Sequence, residues 1–185
     1  STNTYSIDWG TTDSNNYAIT ETLGTLTVTT NATAAVKLIA ADAEKVYDGS
    51  ALTKTDGVTW EGLPTGFTVE ASSTGSQTDA GESANVVNDG YVIKDGNGVD
   101  QTANFTNVTK VPGTLKVTKA PVTITTGDAE KEYDGTALTN AEAGITGLVN
   151  GETATVTATG SQTEVGSSTN TYSIDWGTTD SNNYA

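Results

Sequence analysis

Two lysines stand in almost the same setting. Lys45 lies in Asp42–Thr53, DAEKVYDGSALT, and Lys131 lies in Asp128–Thr139, DAEKEYDGTALT. An amine held uncharged beside an asparagine amide, with a carboxyl group to move protons, can form an isopeptide cross-link. Burial favours the uncharged amine by depressing the lysine pKa. The residue types are present: Lys45 with Asn104, Lys131 with Asn183 or its equivalent Asn16, and Glu44 or Glu130 as the acid. Strand geometry opposes the reaction, because Glu44 and Lys45 are adjacent and neighbouring strand residues point to opposite faces. The expectation is no cross-link, with both lysines at the surface and paired to carboxylates.

Other candidate chemistry is sparse. Asp95, Asn97 and Asp100 space oxygen ligands loosely like a calcium loop, but the bidentate glutamate and flanking helices of an EF-hand are missing. A Gly/Asn-rich hairpin turn accounts for the same residues, so no metal and no cofactor is expected. Tyr47-Asp48-Gly49 and Tyr133-Asp134-Gly135 read as a structural motif: a core tyrosine whose hydroxyl meets backbone, followed by an Asp-Gly turn. The chain has no His and no Cys, which removes the commonest general bases and nucleophiles. Catalysis is not expected.

The elements that must carry these residues are β-strands. Leu23–Thr29, Leu115–Lys119, Val122–Thr126 and Thr153–Thr159 alternate apolar with Thr or Lys, the pattern of a half-buried strand. Asp48-Gly49, Asp134-Gly135, Asn150-Gly151 and Asp95-Gly96 punctuate them as turns. The expected fold class is all-β: tandem antiparallel β-sandwich modules, immunoglobulin-like, forming an elongated rod.

The modules follow from repetition. Ser1–Ala18 and Ser168–Ala185 are identical, at an offset of 167, so the chain reads as a window slightly longer than one period of an array. Within the period, the DAEK motif recurs at an offset of 86 and TGSQT at 85. Two related modules, A and B, result. Residues 1–30 are the C-terminal part of a split module A, 31–120 are a complete module B, and 121–185 are the N-terminal part of the next A. The junctions at Lys119-Ala120-Pro121 and Thr30–Ala34 are short and lack the Gly/Ser composition of flexible linkers. A half-module exposes unpaired strand edges. Ile19–Thr30 is therefore expected to complete the module begun by Pro121–Ala185 of a neighbouring copy, head to tail, by strand complementation.

Net charge is −15, with lysine as the only cation. Nucleic-acid and anionic membrane partners need clustered cations, so neither is expected. No apolar run approaches the length of a membrane span.

The motif set Lys45–Gly49, Lys131–Gly135, the paired TGSQT segments and the closing GTLTVT and GTLKVT strands resembles the YDG-type, immunoglobulin-like repeats of bacterial surface proteins and adhesins. The resemblance implies an extracellular location at the bacterial cell surface and a stalk or fibre role. An alternative is an adhesive module that binds a host glycan or protein through loops found only in B, Thr59–Thr65 and Asp95–Gln101.

Overall fold

The computed structural model describes all residues, Ser1–Ala185. It is all-β, with three single-turn 3-10 segments and no α-helix. No helix is long and apolar enough to cross a membrane.

Residues 31–120, expected as module B and called B below, contain nine strands: β1 (Val36–Ile39), β2 (Ala43–Val46), β3 (Thr59–Glu61), β4 (Thr68–Glu70), β5 (Ser73–Thr74), β6 (Gly81–Val87), β7 (Val92–Lys94), β8 (Val108–Val111) and β9 (Gly113–Thr118). They form a three-stranded sheet in the order β3-β1-β8, a four-stranded sheet β2-β9-β6-β5 and the pair β4-β7. The expectation of purely antiparallel sheets is corrected. β1 runs parallel to β8 with Val36 opposite Val108, and β2 runs parallel to β9 with Ala43 opposite Leu115. A module entered at one end and left at the other brings its first and last strands side by side in the same direction.

The core of B follows from alternation. β1 buries Val36 and Leu38, β9 buries Leu115 and Val117, and Val87, Ile93 and Phe105 close the space between the sheets. One polar pin crosses it. Asn85 is fully buried, and its Nδ2 donates to Ala41 O at 2.8 Å, Lys54 O at 2.9 Å and Ser73 Oγ at 3.1 Å.

Residues 121–185 repeat part of this frame. β10 (Thr123–Thr126) pairs with β11 (Ala143–Thr146) as β1 pairs with β3, and β12 (Thr155–Ala158) pairs with β13 (Tyr172–Asp175) as β5 pairs with β6. Asn170 repeats the pin, donating to Gly127 O at 2.9 Å and Asn140 O at 3.0 Å. The counterparts of β8 and β9 are absent from this half. Consequently Ala129-Glu130-Lys131, identical in sequence to Ala43-Glu44-Lys45 of β2, forms no strand. The remaining counterpart strands lie in residues 1–30, where Gly24–Leu26 make only short pairing with Ser1–Asn3, through a bridge between Thr2 and Thr25.

Removing the pin tests its weight. Asn85→Ala leaves the Ala41 carbonyl without this donor, while Lys54 O keeps the Ser73 hydroxyl, at a cost of about 1–3 kcal/mol. Denaturant titration of the variant should show module B unfolding at lower denaturant with an unchanged m-value.

Candidate functional site: the junction between modules

The best-formed polar and aromatic constellation lies where module B meets residues 121–185. Tyr47 follows directly on β2, and its backbone N–H donates to Thr118 O at 2.8 Å at the end of β9. Its ring therefore projects from the C-terminal end of B. It meets Tyr184 edge-on, with centroids 5.7 Å apart, and Trp176 stacks on the other side of Tyr184 at 5.7 Å. Edge-to-face and stacked aromatic pairs at this spacing add to the stabilisation from burial alone. Val117, Ala120 and Tyr184 complete a buried cluster with Tyr47.

Glu152 joins the two rings. Tyr47 donates to Glu152 Oε1 and Tyr184 donates to Oε2, both at 2.6 Å. Asn150-Gly151 aims it, with φ of 54° and 72° and a hydrogen bond from Glu152 N to Val149 O at 3.0 Å, the geometry that favours Asn-Gly in a tight hairpin. Asn150 also seats on Gly49. A Cβ on Gly49 would lie 2.5 Å from Asn150 Nδ2, and Gly49 has φ of 78°, so the Asp-Gly turn needs glycine for conformation and for contact.

A second set of bonds locks the other side of the junction. Asn183 Oδ1 accepts from Ala80 N at 2.7 Å, and its Nδ2 donates to Asp79 Oδ1 at 3.1 Å. Ala120 and Tyr184 form a parallel bridge. Asn31 and Phe105 form the same bridge at the other end of B, so both modules begin in the same way.

The Tyr-Asp-Gly tyrosine is thus a junction residue, which corrects the expectation of a core ring with its hydroxyl on backbone. Tyr47 is 5 % exposed because residues 121–185 cover it, whereas Tyr133, in the matching position, is 62 % exposed. Gly135 keeps φ of 78° but nothing lies within 4 Å of a Cβ placed on it.

The lysines serve the turn. Lys45 Nζ donates to Asp48 Oδ1 at 2.6 Å, to Ser50 Oγ at 2.9 Å and to the Ser50 carbonyl. Lys131 repeats this with Asp134 at 2.7 Å and Thr136. The amines are ion-paired, and the cross-link candidates are not brought together. Asn104 donates to Gln101 at the opposite end of B, Glu44 pairs with Lys116, and Asn183 sits at the junction. Asp48 and Asp134 are held well below the usual carboxylate range, first by the lysine and then by the hydroxyl and backbone N–H of Ser50 or Thr136.

In the Asp95–Asp100 loop, Asp95 Oδ1 accepts from Asn97 N and Val99 N, its Oδ2 accepts from Gln101 Nε2, and Asp100 accepts from Thr102 N. The carboxylates close their own turns. No group of three or more acidic side chains converges as a metal site would require.

Sequence reasoning missed Glu152, Tyr184 and Trp176, and singled out Asn183 only as a cross-link candidate. A signal was present. Aligned on the repeat frame, Glu152 and Tyr184 fall where B has Phe67 and Phe105, which pack edge-on at 5.2 Å. A substitution of Phe-Phe by Glu-Tyr marks a position that has acquired a polar partner.

The family model for the MBG domain (YGX type) matches residues 122–185. This is a repeat family of bacterial surface proteins, and the type matched is YGX, whereas Tyr47-Asp48-Gly49 and Tyr133-Asp134-Gly135 resemble the YDG type. No curated protein matches the chain. No solved structure matches it.

Two titrations probe the site. The Glu152 hydrogen bond, burial and the Glu152 charge push Tyr47 up to about 12, and burial followed by the Glu152 bond raises Tyr184. Their contribution is whole below the ordinary phenol value near 10 and is lost as pH climbs through the raised values. Ultraviolet titration should show Tyr47 and Tyr184 ionising late, together with Tyr5, which its bond to Glu21 raises, and Glu152→Gln should bring Tyr47 back toward 10 while leaving Tyr5 unchanged. Asp48 and Asp134 act with the opposite sign. Their contribution is whole above about pH 4 and is lost as pH falls below it. Thermal melts should show acid lability that Asp48→Asn reduces in module B.

Proposed function

We propose that this chain is a stalk segment of a bacterial cell-surface protein, built of immunoglobulin-like sandwich modules set end to end outside the cell. The observation that carries this reading is the Tyr47–Glu152–Tyr184 junction, in which one module's exit turn is gripped by the next. A connector of this kind transmits orientation, whereas a flexible linker does not. Repeat number would then set reach, junction stiffness would set direction, and a net charge of −15 would keep neighbouring stalks apart. The role is mechanical and requires neither a cofactor nor catalysis.

The adhesive alternative has less support. The Asp95–Asp100 carboxylates are engaged within their own loop, and Trp60, 38 % exposed on β3, lines none of the five best-formed cavities.

The test is the relative motion of module B and residues 121–185. Residual dipolar couplings should fit one alignment tensor for both in the wild-type chain and two in Tyr47→Ala. Removing a well-packed aromatic ring of this size costs about 3–5 kcal/mol, enough to release the junction. Two independent tensors in the wild-type chain would overturn the reading.

A further inference from the structure

The chain contains two Asn-Gly pairs, Asn97-Gly98 and Asn150-Gly151. An asparagine followed by glycine is open to attack by the backbone on its own side chain. Glycine carries no Cβ to shield the attacking nitrogen and lets the chain reach the geometry that ring closure needs. Both asparagines are exposed, so exposure does not separate them. The backbone does.

Asn97-Gly98 is tied down. Gly98 N donates to Asp95 O at 2.9 Å, and Asp95 N donates to Val99 O at 3.0 Å. Asp95 Oδ1 also accepts from Asn97 N at 2.9 Å and from Val99 N at 3.0 Å. The nitrogen that would have to attack is already bonded, and all of these bonds resist opening of the turn. Asn150-Gly151 is closed only by the bond from Glu152 N to Val149 O at 3.0 Å, and Gly151 N donates to no acceptor. The Asn150 amide rests against Gly49. At φ of 54°, Asn150 is also the only non-glycine residue in the left-handed region, a conformation that costs a residue with a Cβ.

We propose that Asn150 is a site of spontaneous deamidation, and that the modification releases the grip of residues 121–185 on Tyr47. The Gly151 nitrogen gives its proton to solvent base and attacks Asn150 Cγ. The N–Cγ bond forms, the Cγ–Nδ2 bond breaks and ammonia leaves, closing a succinimide ring. Water then opens the ring. Addition at Cγ breaks the new bond and leaves aspartate. Addition at the Asn150 backbone carbonyl breaks the original peptide bond and leaves isoaspartate, with the chain running through Cβ and Cγ. Nothing is oxidised or reduced, and water is the only co-reactant.

The position of this turn gives the reaction its effect. Val149 N donates to the Tyr184 hydroxyl at 3.3 Å, and that hydroxyl donates to Glu152 Oε2 at 2.6 Å. The residues on either side of the pair thus close on one oxygen, which fixes the span between them. Isoaspartate lengthens that span by one C–C bond, ~1.5 Å. A shift of this size takes the 2.6 Å bond between Tyr47 and Glu152 out of bonding range. Either product also sets a new carboxylate against the Asp48-Gly49 turn and close to Glu152, where like charges repel.

The test is incubation of the full chain at mildly alkaline pH, followed by peptide mapping with mass spectrometry and an isoaspartate-specific methyltransferase. Asn150 should convert to aspartate and isoaspartate roughly tenfold faster than Asn97, the difference set by the additional hydrogen bonds around Asn97. Asp95→Ala, which removes the carboxylate that holds the Asn97 loop, should raise the Asn97 rate toward that of Asn150. Residual dipolar couplings of the isolated isoaspartyl chain should need two alignment tensors for module B and residues 121–185. Asn150→Gly keeps the positive φ and has no amide to lose, so it should keep one tensor through the same incubation. The proposal would be overturned by an Asn97 that converts as fast as Asn150 in the wild-type chain or by an Asp95→Ala chain whose Asn97 rate is unchanged. An isoaspartyl chain with a single tensor, or an Asn150→Gly chain that loosens on incubation, would overturn it as well. The stalk reading is tested on the fresh chain, and the mapping of Asn150 stands whatever tensors that chain shows.

Discussion

The fold of residues 31–120 rests on a backbone ladder with two sides. β9 lies between β2, parallel, and β6, antiparallel, so one strand satisfies the edges of two others. A lone two-stranded ribbon is marginal in water, and a third strand makes a sheet stable. The chain contains its own control. Ala43-Glu44-Lys45 is a strand where β9 stands beside it, and Ala129-Glu130-Lys131, with the same letters, is not a strand where the partner is missing. Strand formation here is a property of the neighbour more than of the residues.

The same dependence passes to the module ends. Tyr47 can leave β2 and reach the next module because β9 holds its backbone through Thr118. The Asp48–Lys45–Ser50 network shapes the turn that follows, and it recurs in Asp134–Lys131–Thr136, where Tyr133 is uncovered. Turn geometry is therefore local, written in neighbouring side chains, while the burial of the tyrosine is distant and is supplied by the following module.

Much of this was legible in the residues. Alternation located β9, β10 and β12, and the Asp-Gly and Asn-Gly pairs fell in turns. Parallel pairing of first and last strands was not legible, because alternation reports which face is wet and not which way a neighbour runs. The role of Tyr47 was misjudged for a similar reason. A buried tyrosine reads the same whether its cover comes from its own module or from the next, and Glu152, 105 positions away, has no local feature that points to it. The lysines were expected at the surface with carboxylate partners, but the partner in each case is the aspartate three residues on, an interaction inside the turn.

The direction of the β1–β8 and β2–β9 pairs has a consequence for load. When a module is pulled by its two ends, parallel terminal strands are drawn past one another along their length. The four residue pairs of each ladder, Val36–Val108 to Ile39–Val111 and Ala43–Leu115 to Val46–Thr118, then resist in shear and must yield together. An antiparallel hairpin pulled from its open end instead unzips one bond at a time. Forced unfolding is governed by the barrier to rupture and not by the equilibrium free energy, so the direction of these two ladders, and not the size of the core alone, sets how residues 31–120 answer tension along the chain.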